Sequence, residues 1–161
     1  MRAWPPCCGS STAGGPLTER RLLEDEAATE ALGAELARST PVGGTWLLRG
    51  ELGAGKTTWT RGFVAGLGGD ADQVASPTYA VLHCYGVPQG KVFHLDLYRL
   101  GAEGAWNLGL EEVIGPTDFL VVEWAGLSGP WPSPWVAELN LETQGTGRMA
   151  AWSMLDPGSR A

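Results

Sequence analysis

Gly50 to Thr57, read GELGAGKT, fits the pattern G-x-x-x-x-G-K-[ST]. It stands between a short apolar run, Thr45 to Arg49, and a helical segment from Lys56 to Leu67 that stops at Gly68-Gly69. Strand, glycine-rich loop and helix are the order a phosphate site requires. The glycines let the backbone curl so that successive N–H groups point at phosphate oxygens, and the helix N-terminus adds its dipole. Glu51, Leu52, Gly53, Ala54, Gly55, Lys56, Thr57 and Thr58 are therefore the expected cofactor-binding residues. Lys56 is expected to bridge the β- and γ-phosphates, and Thr57 to ligate Mg²⁺.

A Mg²⁺-nucleotide site also needs an acid at the end of a neighbouring strand, and two compete for the role. Asp96 follows Val92 to Leu95, and Glu123 follows Phe119 to Val122. Either can bind the metal while the other orients an attacking water. Ser76-Pro77-Thr78-Tyr79 lies where a loop enters a strand; such a segment is more often just a turn, and the alternative is that its hydroxyls sense a γ-phosphate as switch residues do. His83 and His94 are isolated in strand patterns with no metal-ligand partner at useful spacing. They are expected to pack in or beside the sheet and are assigned no chemistry.

Between Arg99 and Arg148 there is no Lys or Arg, so the second half lacks the cationic lid that a phosphotransferase closes over its transferring group. No Asn-Lys-x-Asp stretch is present to select guanine, which favours ATP. A net charge of −7 repels phosphate backbones, so direct DNA binding is not expected and any tRNA connection should run through a partner. Cys7, Cys8 and Cys84 make neither a disulfide framework nor a zinc spacing. With no apolar stretch near the ~20 residues of a membrane span and no signal-peptide core, a cytoplasmic protein without membrane attachment is expected.

Residues 1–18 are rich in Gly, Pro, Ser and Cys without periodicity and read as a flexible extension; 19–161 form the single expected domain. Ala28, Leu32 and Leu36 recur at helical spacing from Glu24 to about Arg38. Tyr79 to Tyr85 and Val92 to Tyr98 alternate across the turn-like 86–90 segment and predict a hairpin. Residues 102–114 carry a weak helical pattern interrupted by Gly104 and Gly109. Phe119 to Trp124 reads as a strand buried on both faces, and Trp135 to Leu141 and Arg148 to Leu155 are the last strands, separated by the turn-rich 143–147 segment.

The chain resembles the bacterial TsaE (YjeE) family of small ATPases over roughly residues 24–155. The resemblance rests on GELGAGKTTWTRGF at 50–63, SPTY at 76–79, FHLDLYRL at 93–100 and VVEWA at 121–125, in order and in register. It implies an α/β fold, a P-loop nucleotide-binding three-layer sandwich with a mixed parallel/antiparallel central sheet. It further implies Mg²⁺ held by Thr57 and Glu123, roles for Asp96 and Thr78 near the γ-phosphate, and Thr29 near the nucleotide. The family supports synthesis of N6-threonylcarbamoyladenosine at position 37 of tRNAs reading codons that begin with adenine. It acts with the TsaD and TsaB proteins, and tRNA is reached only indirectly. Ala105-Trp106-Asn107 departs from the family pattern, which tends to be more acidic there.

The leading expectation is thus a partner-stimulated Mg²⁺-dependent ATPase with Lys56, Asp96 and Glu123 as its catalytic residues. A stand-alone small-metabolite kinase and an ATP-gated, non-catalytic assembly module are the alternatives. Trp59, one turn into the P-loop helix, and Trp124, beside an acid, make intrinsic fluorescence an expected reporter of Mg-ATP.

Overall fold

A computed structural model describes residues 18–125 and 129–155. Of the flexible extension expected at 1–18, residues 1–17 lie outside the described residues. The elements are β1 (Glu19–Leu23), α1 (Glu26–Ser39), β2 (Thr45–Arg49), α2 (Lys56–Gly66), β3 (Leu82–Val87), β4 (Gly90–Asp96), α3 (Leu110–Val113), β5 (Phe119–Glu123), β6 (Val136–Gln144) and β7 (Gly147–Met154). Short 3₁₀ turns at Ala71–Gln73 and Ala102–Asn107 complete them.

The seven strands form one sheet in the order β1-β7-β6-β2-β5-β4-β3. β6, β2, β5 and β4 pair parallel, while β1 with β7, β7 with β6, and β4 with β3 pair antiparallel. This is the mixed α/β sheet expected. Side chains alternate across it, so Trp46, Leu48, Phe119 and Val121 face one apolar core with α1 and α2, while Leu47, Leu120 and Val122 face a second core with Leu110 and Ile114. Helices and turns on both faces make the layers.

Each end of α1 is fixed by side-chain bonds. The Asp25 carboxylate accepts from the Ala28 N–H at 2.7 Å as an N-cap. Beyond the C-terminus, Thr40 donates to the Leu36 carbonyl at 2.7 Å and accepts from the indole N–H of Trp46 at 2.9 Å, tying helix to strand. Against α2 the two backbones nearly touch: a Cβ on Gly62 would overlap the Glu30 carbonyl, and one on Gly33 would overlap the Trp59 carbonyl. Glycine is required at this crossing by the approach of the chains.

Several boundaries differ from expectation. β1 was not anticipated; its five residues ERRLL are too few to show alternation, and it is held as an edge strand by pairing Glu19 to Leu23 with Trp152 to Arg148. β3 begins at Leu82 instead of Tyr79, because Val81 takes φ 67° and breaks the extended run. The hairpin turns tightly at Pro88-Gln89, and β6 and β7 extend to a turn at Gly145-Thr146. The 102–114 segment divides into the 3₁₀ turn and the one-turn α3, with Gly109 at φ 62° between them.

Gly62→Ala is expected to lower stability by about 2–3 kcal/mol, the cost of forcing a methyl into a packed contact. The shift in urea midpoint at unchanged m-value measures it.

Candidate functional site

The C-terminal ends of β2, β5 and β4 lie side by side, with Leu48 paired to Glu123 and Glu123 paired to Asp96. Alternation puts Val92, His94 and Asp96 on one face of β4, and Phe119, Val121 and Glu123 on the same face of β5. α2 packs on that face. The P-loop leaves β2 and enters α2 through Gly55, whose φ of 105° opens the first turn of the helix.

Lys56 is the first residue of α2 and is 5% exposed. Its Nζ donates to the Gly50 carbonyl at 2.7 Å and the Glu51 carbonyl at 3.0 Å, and lies 4.2 Å from the centre of the Trp124 ring. Burial pulls its pKa below the ordinary lysine range, opposed by the charges of Glu123, Asp96 and Glu51.

Thr57 donates from Oγ1 to Oε1 of Glu123 at 3.2 Å. Glu123 and Asp96 are each 3% exposed. The carboxylate of Asp96 accepts from Thr78 Oγ1 at 2.9 Å and from the Tyr98 N–H at 2.8 Å. Since Thr78 gives its proton to Asp96, the 2.7 Å contact between Ser76 and Thr78 has Ser76 as donor. Two residues beside the acids, Val81 and Trp124, hold left-handed conformations at φ 67° and 60°, and Val81 accepts from the Asp96 N–H. Non-glycine residues in this region store strain, and both instances among the described residues flank this site.

Gly55, Lys56, Thr57, Thr78, Asp96 and Glu123 line one cleft of about 210 Å³. Leu52, Gly53 and Thr58 also border it. Ala54 is buried in the loop, and Glu51 contributes its carbonyl to Lys56 while lining a neighbouring cavity of about 540 Å³. That larger space holds none of Lys56, Thr57, Asp96 or Glu123. Thr29 is fully buried, donates to the Asp25 carbonyl at 3.1 Å, and accepts at 3.4 Å from the guanidinium of Arg148, which lines the cleft. Oxygen donors from a threonine and a buried carboxylate 3.2 Å apart beside a phosphate loop fit Mg²⁺, which takes few protein ligands and keeps waters.

Two residues that bear on the cleft, Arg148 and His94, were not among those expected. Arg148, on β7, lies against Gly55 so closely that a Cβ there would stand 2.8 Å from its Nη1. Sheet order, not sequence distance, brings it there. His94 is fully buried, as expected for a strand histidine, yet its Nε2 lies 2.8 Å from Glu123 Oε1. The signal was its place two residues before Asp96, on the same strand face. Trp124 covers Lys56. Trp59, by contrast, is fully buried against Trp46 and Phe63, with ring centroids at 5.3 and 5.1 Å. Two further arginines are engaged elsewhere: Arg61 pairs with Glu30 at 3.1 Å, and Arg99 stacks on Tyr79 at 4.5 Å.

The family described as Threonylcarbamoyl adenosine biosynthesis protein TsaE matches residues 23–150. The chain belongs to the TsaE family. It is 34% identical over 122 residues to the tRNA threonylcarbamoyladenosine biosynthesis protein TsaE of Rickettsia felis, covering 75% of this chain and 71% of that one. It is 37% identical to the protein of the same name from Synechocystis sp. over 107 residues, 64% of this chain and 68% of that one. The TsaE of Bacillus subtilis is 38% identical over 99 residues, 62% of this chain and 61% of that one. The crystal structure of Bacillus subtilis YdiB shares the fold, with a TM-score of 0.69 at 24% identity over 89% of this chain and 90% of that one. Among the described residues, no helix is long and apolar enough to cross a membrane.

Trp124→Phe is expected to remove most of the fluorescence change on adding Mg-ATP, and Trp59→Phe to keep it. A response undiminished in the Trp124 variant contradicts the placement of that ring over the phosphate loop.

Proposed function

We propose that the chain is a Mg²⁺-dependent ATPase that supports formation of N6-threonylcarbamoyladenosine at position 37 of tRNAs reading codons that begin with adenine, working with the TsaD and TsaB proteins. The observation that carries the ATPase reading is the convergence of Lys56, Thr57, Asp96 and Glu123 on one cleft. Family membership carries the tRNA-modification reading. The acidic net charge of −7 supports tRNA being held by the partners rather than by this chain.

In this reading Lys56 leaves the Gly50 and Glu51 carbonyls for the β- and γ-phosphates, while the loop N–H groups and the N-terminus of α2 take the remaining charge. Thr57 and Glu123 would hold Mg²⁺, which would supply positive charge against the phosphate oxygens. Asp96 is fixed in orientation by Thr78 and the Tyr98 N–H, and acts on the attacking water as acceptor of its hydrogen bond. Thr78 ties that acid to the 76–79 loop, so a γ-phosphate that draws the Thr78 hydroxyl also changes the partner of Asp96. The guanidinium at the cleft, Arg148, lies on the Gly55 side. With Arg61 and Arg99 engaged elsewhere, turnover by the chain alone is slow and rises when partners close the site.

Lys56→Ala is expected to weaken ATP binding at least about 100-fold, and Asp96→Ala to lower phosphate release about 10²-fold at nearly unchanged nucleotide affinity. Release measured with and without purified TsaB and TsaD should rise in their presence. Unchanged release in the acid variants contradicts the catalytic assignment, and stoichiometric phosphate transfer to a small molecule replaces it with a kinase.

A further inference from the structure

Glu123 is held by more than Thr57. Its Oε1 also lies 2.8 Å from His94 Nε2, and since an ionised carboxylate only accepts, this ring nitrogen carries the proton. The other nitrogen, Nδ1, is 3.3 Å from the Tyr85 hydroxyl. That hydroxyl in turn sits 3.2 Å from the Ala75 carbonyl and 3.4 Å from the Ala75 N–H, and 3.2 Å from His83 Nδ1. His94 is fully buried and Tyr85 is 4% exposed, so the bonds from Glu123 to Tyr85 are shielded from water.

Strands β3, β4 and β5 supply every side chain of this line. His83 pairs with His94 and Tyr85 with Val92 across the β3–β4 ladder, while His94 pairs with Val121 across β4–β5. Period-2 alternation places His83, Tyr85, His94 and Glu123 on the face that α2 covers. The line ends at Ala75, immediately before Ser76, and the same loop reaches Asp96 through Thr78. The two acids are therefore fastened to one loop by separate routes, one through a hydroxyl at the cleft and one through the interior.

Taking Thr57 and Glu123 as the Mg²⁺ ligands, we propose that His94 and Tyr85 are positioning residues that set the Glu123 carboxylate for the metal and couple its position to the 75–78 loop. Two donors on the same oxygen fix the plane of the carboxylate, and Tyr85 fixes the imidazole that supplies one of them. Groups that orient a metal ligand in this way are worth about 10–100-fold in metal affinity.

The test compares nucleotide affinity with Mg²⁺ and with EDTA, read from Trp124 fluorescence or calorimetry, in wild type, His94→Phe, His94→Gln and Tyr85→Phe. Tyr85→Phe keeps the ring in the core and serves if His94→Phe does not fold. The expected result is a loss of about tenfold in the Mg²⁺-dependent part of the affinity for His94→Phe, with ADP binding in EDTA within twofold of wild type. His94→Gln, whose amide restores a donor, should recover part of that loss, and Tyr85→Phe should show a smaller loss in the same direction. Variants that keep the full Mg²⁺ effect overturn the positioning role alone. Equal losses with and without Mg²⁺ also overturn it, because they mark a merely structural part. A wild-type protein whose nucleotide affinity ignores Mg²⁺ overturns the metal reading of Thr57 and Glu123, and the positioning role with it.

Discussion

The register of the parallel strands β2, β5 and β4 is the constraint on which the site depends. It aligns Leu48, Glu123 and Asp96 in one row where the P-loop departs. A slip of one residue in β5 would turn Glu123 to the opposite face and replace it with Val122, removing the acid from Thr57. The register is specified by burial. Every residue of β5 is buried, and Phe119 and Val121 pack with α2 side chains while Leu120 and Val122 fill the opposite core. The carboxylates are positioned by the same alternation that builds the core, so site geometry and stability are two readings of one sheet.

The helices add the second constraint. α2 must begin at Gly55 to aim its N-terminus at the cleft, and it must also lie flat enough on the sheet for Trp59 and Phe63 to bury completely. Close approach of α1 at Gly33 and Gly62 lets it do both, and sets Thr29 of α1 within 3.4 Å of the Arg148 guanidinium that lines the cleft. The loops over the acids then carry the strain, at Val81, where the chain enters β3, and at Trp124, where it leaves β5.

Much of this was legible because local patterns coincided with global needs. β2 and β5 read as apolar runs, the P-loop as a motif whose glycines serve the backbone, and Asp96 and Glu123 as acids at strand ends. What was not legible came from long-range pairing. β1 is too short to show a period and exists through its bonds to β7. Arg148 reaches the cleft because β7 and β6 fold back beside β2, an order that no local signal encodes. His94 was correctly expected within the sheet, but its partner Glu123 lies 29 residues away on another strand. Spacing rules for metal ligands do not apply to a histidine that holds a carboxylate.

The most direct test of the account is a crystal structure of the chain with Mg²⁺ and a non-hydrolysable ATP analogue. The phosphates are expected over the 50–57 loop, with Lys56 moved from the Gly50 carbonyl onto them and Mg²⁺ at about 2.1 Å from Thr57 Oγ1 with Glu123 in its coordination sphere, directly or through one water. Phosphates bound elsewhere, or a metal that meets neither Thr57 nor Glu123, would contradict it.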